Sequence, residues 1–290
     1  MAEVGLVPFA QVALDVARAT VPRYRTCFSK HQFSQPQLLA ILCLMRYEDW
    51  TYREAEVRLA EHSELRRALQ LLSVPDHTTL YRFLRRLDEA AITRALHEVV
   101  QRMPLSGPRR CTHVAVDATG LSQGAISTFF VRRMHHHTQQ PMPWRRWLKW
   151  LVAVDVQRQL LLAQMAHSGP TNDGANLRPL IDAAQTVSPI GLVLADAEFD
   201  SELNHTHIRQ RLHARSVIPA KRGKRTWNLH GVRAQMRSHF PRHLYCRRAL
   251  VETVFSTVKR KLSARAPGRC LLTQRRQALL LGLTYNLYRL

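Results

Sequence analysis

The sequence predicts a mixed α/β fold, a sheet flanked by helices, preceded by an all-helical region. Three observations carry this reading. Residues 1–105 hold apolar side chains at helical spacing with capping residues between the runs. From about Arg110 the pattern changes to short apolar, β-branched runs bounded by Gly, Pro, Asp and Asn. From there strands and helices follow one another in mixed order, as in a mixed sheet with helices packed on it. At 290 residues and 46% hydrophobic content the chain has material for a sizeable core in one large or two modest domains. The change of pattern sets the expected division at 1–105 and 106–290.

In the helical region, Ser34-Gln35-Pro36 opens a helix running to about Met45, with proline in its first turn. Thr51-Tyr52-Arg53-Glu54 is a capping box, followed by Ala55, Val57, Leu59 and Ala60. A short helix is expected over Leu65–Leu72. Next comes PDHTTLYRFLRRLDEA, capped by Asp76 or Thr78, with Leu80, Phe83, Leu84 and Leu87 as its core stripe. Its other face presents Thr79, Arg82, Arg85 and Arg86. Short helices followed by a basic one fit either a helix-turn-helix, with the last helix on DNA, or a helical bundle with a solvated basic face.

Beyond it, CTHVAVDATG reads as a strand ending at Asp117. WLKWLVAVDV and QLLLAQMAHS form a hairpin around Gln157-Arg158. TNDGANLRPLIDAAQTV is a helix, PIGLVLADAEFD a buried strand ending at Asp196, and RSVIPAKRG a short strand leading into a basic loop. YCRRALVETVFSTVKRKL, from Tyr245 to Leu262, reads as one helix, and LTQRRQALLLGLTYNLYRL as a closing one.

A formal net charge of +22, from 43 basic and 21 acidic residues, points to a polyanionic partner. The basic residues are spread along the chain, and no long amphipathic Lys/Arg helix of the interfacial kind is present. No apolar run approaches the roughly 20 residues that span a bilayer, so no membrane partner is expected. The N-terminus lacks the basic segment of a signal peptide. Five scattered cysteines without a CxxC pair speak against a zinc module or a disulfide framework and for a reducing, cytoplasmic setting.

The helix at 245–262 carries the densest chemistry. Tyr245, Arg248, Glu252 and Lys259 fall within roughly 40° of one another at about 100° per residue, while Leu250, Val251, Val254, Val258 and Leu262 lie largely opposite. Such a face is ordinarily a solvated one with spaced ion pairs. It also suits an acidic metal ligand beside cations that hold phosphate. Asp117 and Asp196, each at a strand end, supply two further carboxylates where open α/β sheets bind ligands. Brought together, the three acids repel unless a cation sits between them. Mg²⁺ suits oxygen donors and phosphate, and two such ions support in-line phosphodiester displacement.

The spacing Tyr-(2)-Arg-(3)-Glu-(6)-Lys, standing at Tyr245, Arg248, Glu252 and Lys259, resembles the C-terminal motif of bacterial insertion-sequence transposases with an acidic-triad (DDE) catalytic domain. VAVDATGL is similar to the first-Asp block of that family and LVLADAEFDS to its second. PDHTTLYRFLRRL resembles a segment near the end of its N-terminal region, so the likeness covers roughly residues 30–285. The resemblance implies an RNase H-like fold and a nuclease and strand transferase using Mg²⁺ or Mn²⁺, as two ions. It implies double-stranded DNA partners, the terminal inverted repeats of a mobile element and its target, and a homodimer in the synaptic complex of a prokaryotic nucleoid. Carried over by motif, Asp117, Asp196 and Glu252 would ligate the metals, Arg248 and Lys259 would hold phosphate near the cleavage site, and Tyr245 would support the backbone there. The second block departs from the family pattern. Lys-Gly-Tyr often follows the Asp, whereas here Ala197, Glu198 and Phe199 do, so Glu198 and Asp200 stand as further acidic candidates. Asp196 is preferred because it ends the apolar run. The alternative reading is a catalytically inactive, domesticated or decayed DNA-binding protein, against which the intact triad argues.

The remaining motifs have plainer readings. Asp155 fits a turn and Asp173 a helix cap. His135–His137 cannot all face one ion and suit a solvated loop near DNA. WRRWLKW (144–150) fits a nucleic-acid surface or a strand with buried Trp. Lys221, Arg222, Lys224 and Arg225 form a basic loop suited to phosphate.

Overall fold

The computed structural model describes residues 3–28, 31–103, 111–123, 147–169, 173–221 and 229–290. Its first part is helical: α1 (Leu6–Thr20), α2 (Gln35–Tyr47), α3 (Tyr52–Glu61), α4 (Ser63–Ala68), α5 (His77–Arg86) and α6 (Glu89–Arg102). The expected caps form. The backbone N–H of Ser34 donates to Gln37 Oε1 at 2.9 Å and that of Thr51 to Glu54 Oε2 at 2.7 Å, the reciprocal arms of two capping boxes. Asp76 accepts from the backbone N–H groups of Thr78 and Thr79 at 2.8 and 2.9 Å. Leu80, Phe83, Leu84 and Leu87 are buried as their spacing predicts, and Arg82, Arg85 and Arg86 are exposed.

Some details differ. The short helix starts at Ser63 and ends at Ala68, earlier than the apolar residues suggest. Val57 points outward, 53% exposed, because α3 buries only its i, i+4 pair Ala55 and Leu59. The boundary between α5 and α6 lies at Asp88, whose carboxylate accepts from Ala90 N–H.

The sheet has the order β3-β2-β1-β4-β5, built from β1 (Thr112–Ser122), β2 (Trp147–Asp155), β3 (Leu161–Ser168), β4 (Ile190–Ala195) and β5 (Arg215–Val217). The first three strands pair antiparallel, and β4 and β5 join parallel to β1. The predicted hairpin turns at 156–160, where Gln159 adopts a positive φ of 55°. Between β3 and β4 runs α7 (Leu177–Gln185), entered through a 3₁₀ turn at Gly174–Asn176. Between β4 and β5 lies α8 (Glu202–Thr206), continued by a π turn at His207–Arg211. Then follow α9 (Gly231–Ser238), α10 (Arg242–Tyr245), α11 (Ala249–Thr257) and α12 (Leu271–Arg289). A mixed sheet flanked by helices, with an N-terminal helical region, is consistent with an RNase H-like fold.

Strand alternation sorts the core into two layers. Val114, Val116, Leu151, Ala153, Val193 and Ala195 pack on the side of α7. Ala115, Leu121, Leu148, Trp150, Val152, Val154, Leu192 and Leu194 pack on the other side with α11, α12 and the N-terminal helices. On that second side α12 lies between the sheet and the helical region. Asn286 exchanges two hydrogen bonds with the backbone of Leu161 (2.9 and 2.8 Å), and Gln164 Nε2 donates to the carbonyl of Leu279 at 2.8 Å. From its far side Thr284 donates to the Cys43 carbonyl on α2 at 3.3 Å. The helical region and one face of the sheet therefore share a single core. No helix among the described residues is long and apolar enough to cross a membrane.

Candidate active site

The parallel register of β1 and β4 ends at Val116↔Ala195, which makes Asp117 and Asp196 the next residues of two adjacent strands. Neighbouring strands lie about 4.8 Å apart. Alternation assigns both side chains to one face: Ala115 and Leu194, two residues back, belong to the layer that contains Val251, Val254, Phe255 and Val258. That is the face covered by α11, the helix of Glu252. Asp196 does follow the last residue of its strand. Asp117 does not end its strand: β1 continues to Ser122, held there by pairing with β2 and by a bridge between Ser122 and Arg265. Asp117 instead marks the point where β1 loses its parallel neighbour.

The segment at 242–262 is helical throughout but changes pitch, so the single regular helix expected over Tyr245–Leu262 is corrected. α10 runs into a 3₁₀ turn at Cys246–Arg248, then α11, then a π turn at Val258–Leu262. The tighter first turn brings Arg248 back over Tyr245, with Nε donating to the phenol oxygen at 3.3 Å. Val251, Val254, Val258 and Leu262 are buried, as the pattern predicts.

Arg248 is the hub. Its Nη1 donates to Asp117 Oδ2 at 3.1 Å and to Glu252 Oε1 at 3.0 Å. The Arg248 and Asp117 side chains are 16% and 15% exposed, that of Glu252 62%. Lys259 reaches the same strand face two residues on, donating from Nζ to Thr119 Oγ1 at 2.6 Å. Thr119 is a partner that the sequence reading passed over, although its i+2 position from Asp117 places it on that face. Tyr245 packs edge-on against Phe240, ring centroids 5.0 Å apart. Burial, joined by the charges of Asp196 and Glu252, raises the Asp117 pKa against the opposing Ala118 N–H and Arg248.

Among the three candidates in the second block, geometry separates the roles. Among the described residues, Asp196 Oδ1 accepts only the Glu198 backbone N–H, at 2.9 Å, as it caps a 3₁₀ turn. Glu198 is exposed. Asp200 is spent elsewhere: its buried carboxylate accepts from Arg233 Nε and Nη2 at 3.0 and 2.7 Å and from Lys221 N–H at 2.8 Å, with His205 alongside. Nothing in the sequence near Asp200 announces Arg233 as its partner.

The other motifs resolve in part. Asp155 is a turn residue, accepting from the N–H groups of Gln157 and Arg158 and from the Arg158 guanidinium. Asp173 is not a side-chain cap: it stands before the 3₁₀ turn without a capping bond and forms a buried ion pair with Lys149. Trp150 is fully buried and Trp147 half-buried in β2, so this part of the tryptophan-rich run is sheet core. Lys221 is exposed. Arg222, Lys224, Arg225 and His135–His137 lie outside the described residues.

The donor set suits a hard divalent cation, being all carboxylate, with two acids side by side on a rigid sheet. Among the described residues no three His, Cys, Asp or Glu side chains converge as they stand. Glu252 is tied to Asp117 through Arg248, and a solvent-exposed side chain on a fixed helix has the freedom to rotate inward.

Acids placed where the parallel pairing of β1 and β4 ends in a five-stranded mixed sheet, with a cationic helix above, fit the RNase H-like class. The family comparison agrees and is narrower. The transposase DDE domain model matches residues 109–287, more than half of the chain, and the chain belongs to that family. No curated protein matches it.

Proposed function

We propose that the protein binds the terminal inverted repeats of its own mobile element, cleaves the DNA at the element ends, and joins the freed 3′-OH ends to target DNA. The observation that supports this best is the adjacency of Asp117 and Asp196 on the face that carries Glu252. In this reading Asp117, Asp196 and Glu252 hold Mg²⁺ or Mn²⁺, as two ions. The bound cations supply charge neutralisation at the phosphate and lower the pKa of an attacking water. The chain's own residues do the rest. Lys259, held by Thr119, and Arg248 fix a backbone phosphate, and Tyr245 supports Arg248 through its phenol oxygen. Asp117 sits within β1 and Asp196 directly after β4, so the rigid sheet fixes their spacing.

The exposed Arg82, Arg85 and Arg86 of α5 contact duplex phosphates, joined by Lys221 and the basic residues that follow it. Two element ends joined in one event call for a homodimer in the synaptic complex, in the nucleoid of a prokaryotic cytoplasm.

The test is Mg²⁺-dependent cleavage of a plasmid carrying the element's ends, wild type beside Asp196→Asn, Glu198→Gln and Asp200→Asn. Loss in the first and retention in the second supports the assignment. Cleavage by Asp196→Asn at the wild-type rate would falsify it.

A further inference from the structure

Arg248 contacts both acids through one nitrogen. Arginine–carboxylate pairs are frequently bidentate, with two parallel N–H bonds, as Arg233 is with Asp200. Arg248 instead shares Nη1 between Asp117 and Glu252, which leaves Nη2 outside both contacts. Its Nε rests on the Tyr245 hydroxyl, and its guanidinium carbon lies 6.0 Å from the Tyr245 ring centroid. The guanidinium thus stands on a pivot, bridging two acids that have no other cation beside them among the described residues. One more observation bears on it: Glu252 turns toward Arg248 and not toward the aspartate pair.

We infer that Arg248 is an internal counter-ion that keeps Glu252 from closing on Asp117 and Asp196, so that divalent-cation loading is coupled to DNA. A backbone phosphate competes for Arg248 and withdraws the guanidinium from the carboxylates. Asp117 and Glu252 then lose their shared positive partner, and a divalent cation takes its place between them and Asp196. Arg248 is therefore a positioning residue. Without DNA part of the site's negative charge is met by the chain itself, and Glu252 is kept from closing on a stray ion. With DNA the same arginine serves the substrate. This rests on the proposed metal ligation by the three acids.

The experiment measures Mn²⁺ binding by the full chain, by calorimetry and by the loss of the free-ion paramagnetic signal, with and without a short duplex of the element's terminal sequence. Wild type is expected to bind Mn²⁺ more tightly with the duplex, by about 5- to 150-fold, the span of ordinary site-to-site coupling. Arg248→Ala is expected to bind Mn²⁺ more tightly than wild type without DNA and to lose most of the DNA dependence. Arg248→Gln serves if the alanine variant fails to melt cooperatively. Arg260→Ala removes an equal charge from the same helical segment, where among the described residues the arginine bonds only to the Ser256 carbonyl at 3.4 Å. It sets the background from long-range charge. Mn²⁺ binding by Arg248→Ala no tighter than by Arg260→Ala overturns the inference. Asp117→Asn separates the two levels. If it leaves Mn²⁺ binding unchanged, the metal-site reading fails and this inference with it. If it weakens binding while Arg248→Ala does not strengthen it, only the inference about Arg248 fails.

Discussion

Asp196 and Asp200 are four residues apart, yet they belong to two carboxylate centres of opposite electrostatic character. Around Asp200 the chain supplies a forked guanidinium, a backbone N–H and an imidazole to one buried acid. Burial alone would push the Asp200 pKa up, but the nearby His205 imidazole and hydrogen bonds from Arg233 and the Lys221 N–H hold the carboxyl well below the usual range. Around Asp117 the chain does the reverse, gathering Asp196 and Glu252 beside a half-buried acid and offering one shared arginine nitrogen. A carboxylate whose charge is fully met from within is architecture. Acids gathered with too little positive charge await a cation from outside. The same turn of chain contains both, and the first holds the second in place: the Arg233–Asp200 pair pins the turn that begins at Asp196.

The sharpest way to break this comparison is to remove Arg233. Arg233→Ala leaves a buried carboxylate without its main partner and is expected to cost about 3 kcal/mol, the low end for a broken buried pair because Arg233 is partly exposed. Urea unfolding measures it, and a loss comparable to that of an ordinary surface substitution would show that Asp200 is not structural. Second in size is the effect of the cation. Mg²⁺ at a hundredfold its dissociation constant is expected to stabilise wild type by about 2.7 kcal/mol. The same concentration should leave the melting of Asp117→Asn almost unmoved.

A smaller effect comes from Asp117→Asn without metal. Because the Asp117 pKa is raised on folding, its charged form opposes the fold, so the amide should melt higher than wild type at neutral pH in the presence of a chelator. A lower melting temperature would mean that Arg248 more than offsets the neighbouring acids.

The smallest and slowest effect is on acid stability. The Asp200 pKa is depressed, so its contribution is present above the unfolded value of about 3.9 and is lost as pH falls below that value through the folded one. Asp117 behaves oppositely, favouring the fold below about 3.9 and losing that contribution as pH rises through its raised value. Asp200→Asn should therefore flatten the acid limb of a stability-against-pH curve, whereas Asp117→Asn should not.

Much of this was legible in the residues because it depends on short-range rules. The caps at Ser34, Thr51 and Asp76 are local hydrogen bonds between residues two or three apart, and they form as written. The two aspartates follow from apolar runs ending in an acid, and Glu252 from its spacing within one helical segment. What escaped is what long separations decide. Asp200 meets Arg233 across 33 residues and Lys259 meets Thr119 across 140, and no periodicity encodes either pairing. The pitch changes at Cys246–Arg248 and Val258–Leu262 also escaped, because they arise from how the segment packs over β1 rather than from its own propensities. Asp173 departs from the expected helix cap because its partner, Lys149, comes from β2, well before it in the chain.

The position of α12 has a consequence for how the chain is made. This helix is synthesised after every other described element, yet it fills the space between the sheet and the N-terminal helices. Its side chains reach partners 125 to 241 residues earlier in the chain. Contacts at that separation slow folding, since the loops they close must be ordered before any packing repays them. The ribosome therefore holds an unfinished core until α12 emerges. A nascent chain stopped before Leu271 would be a protease substrate with an open apolar face, not a smaller working protein.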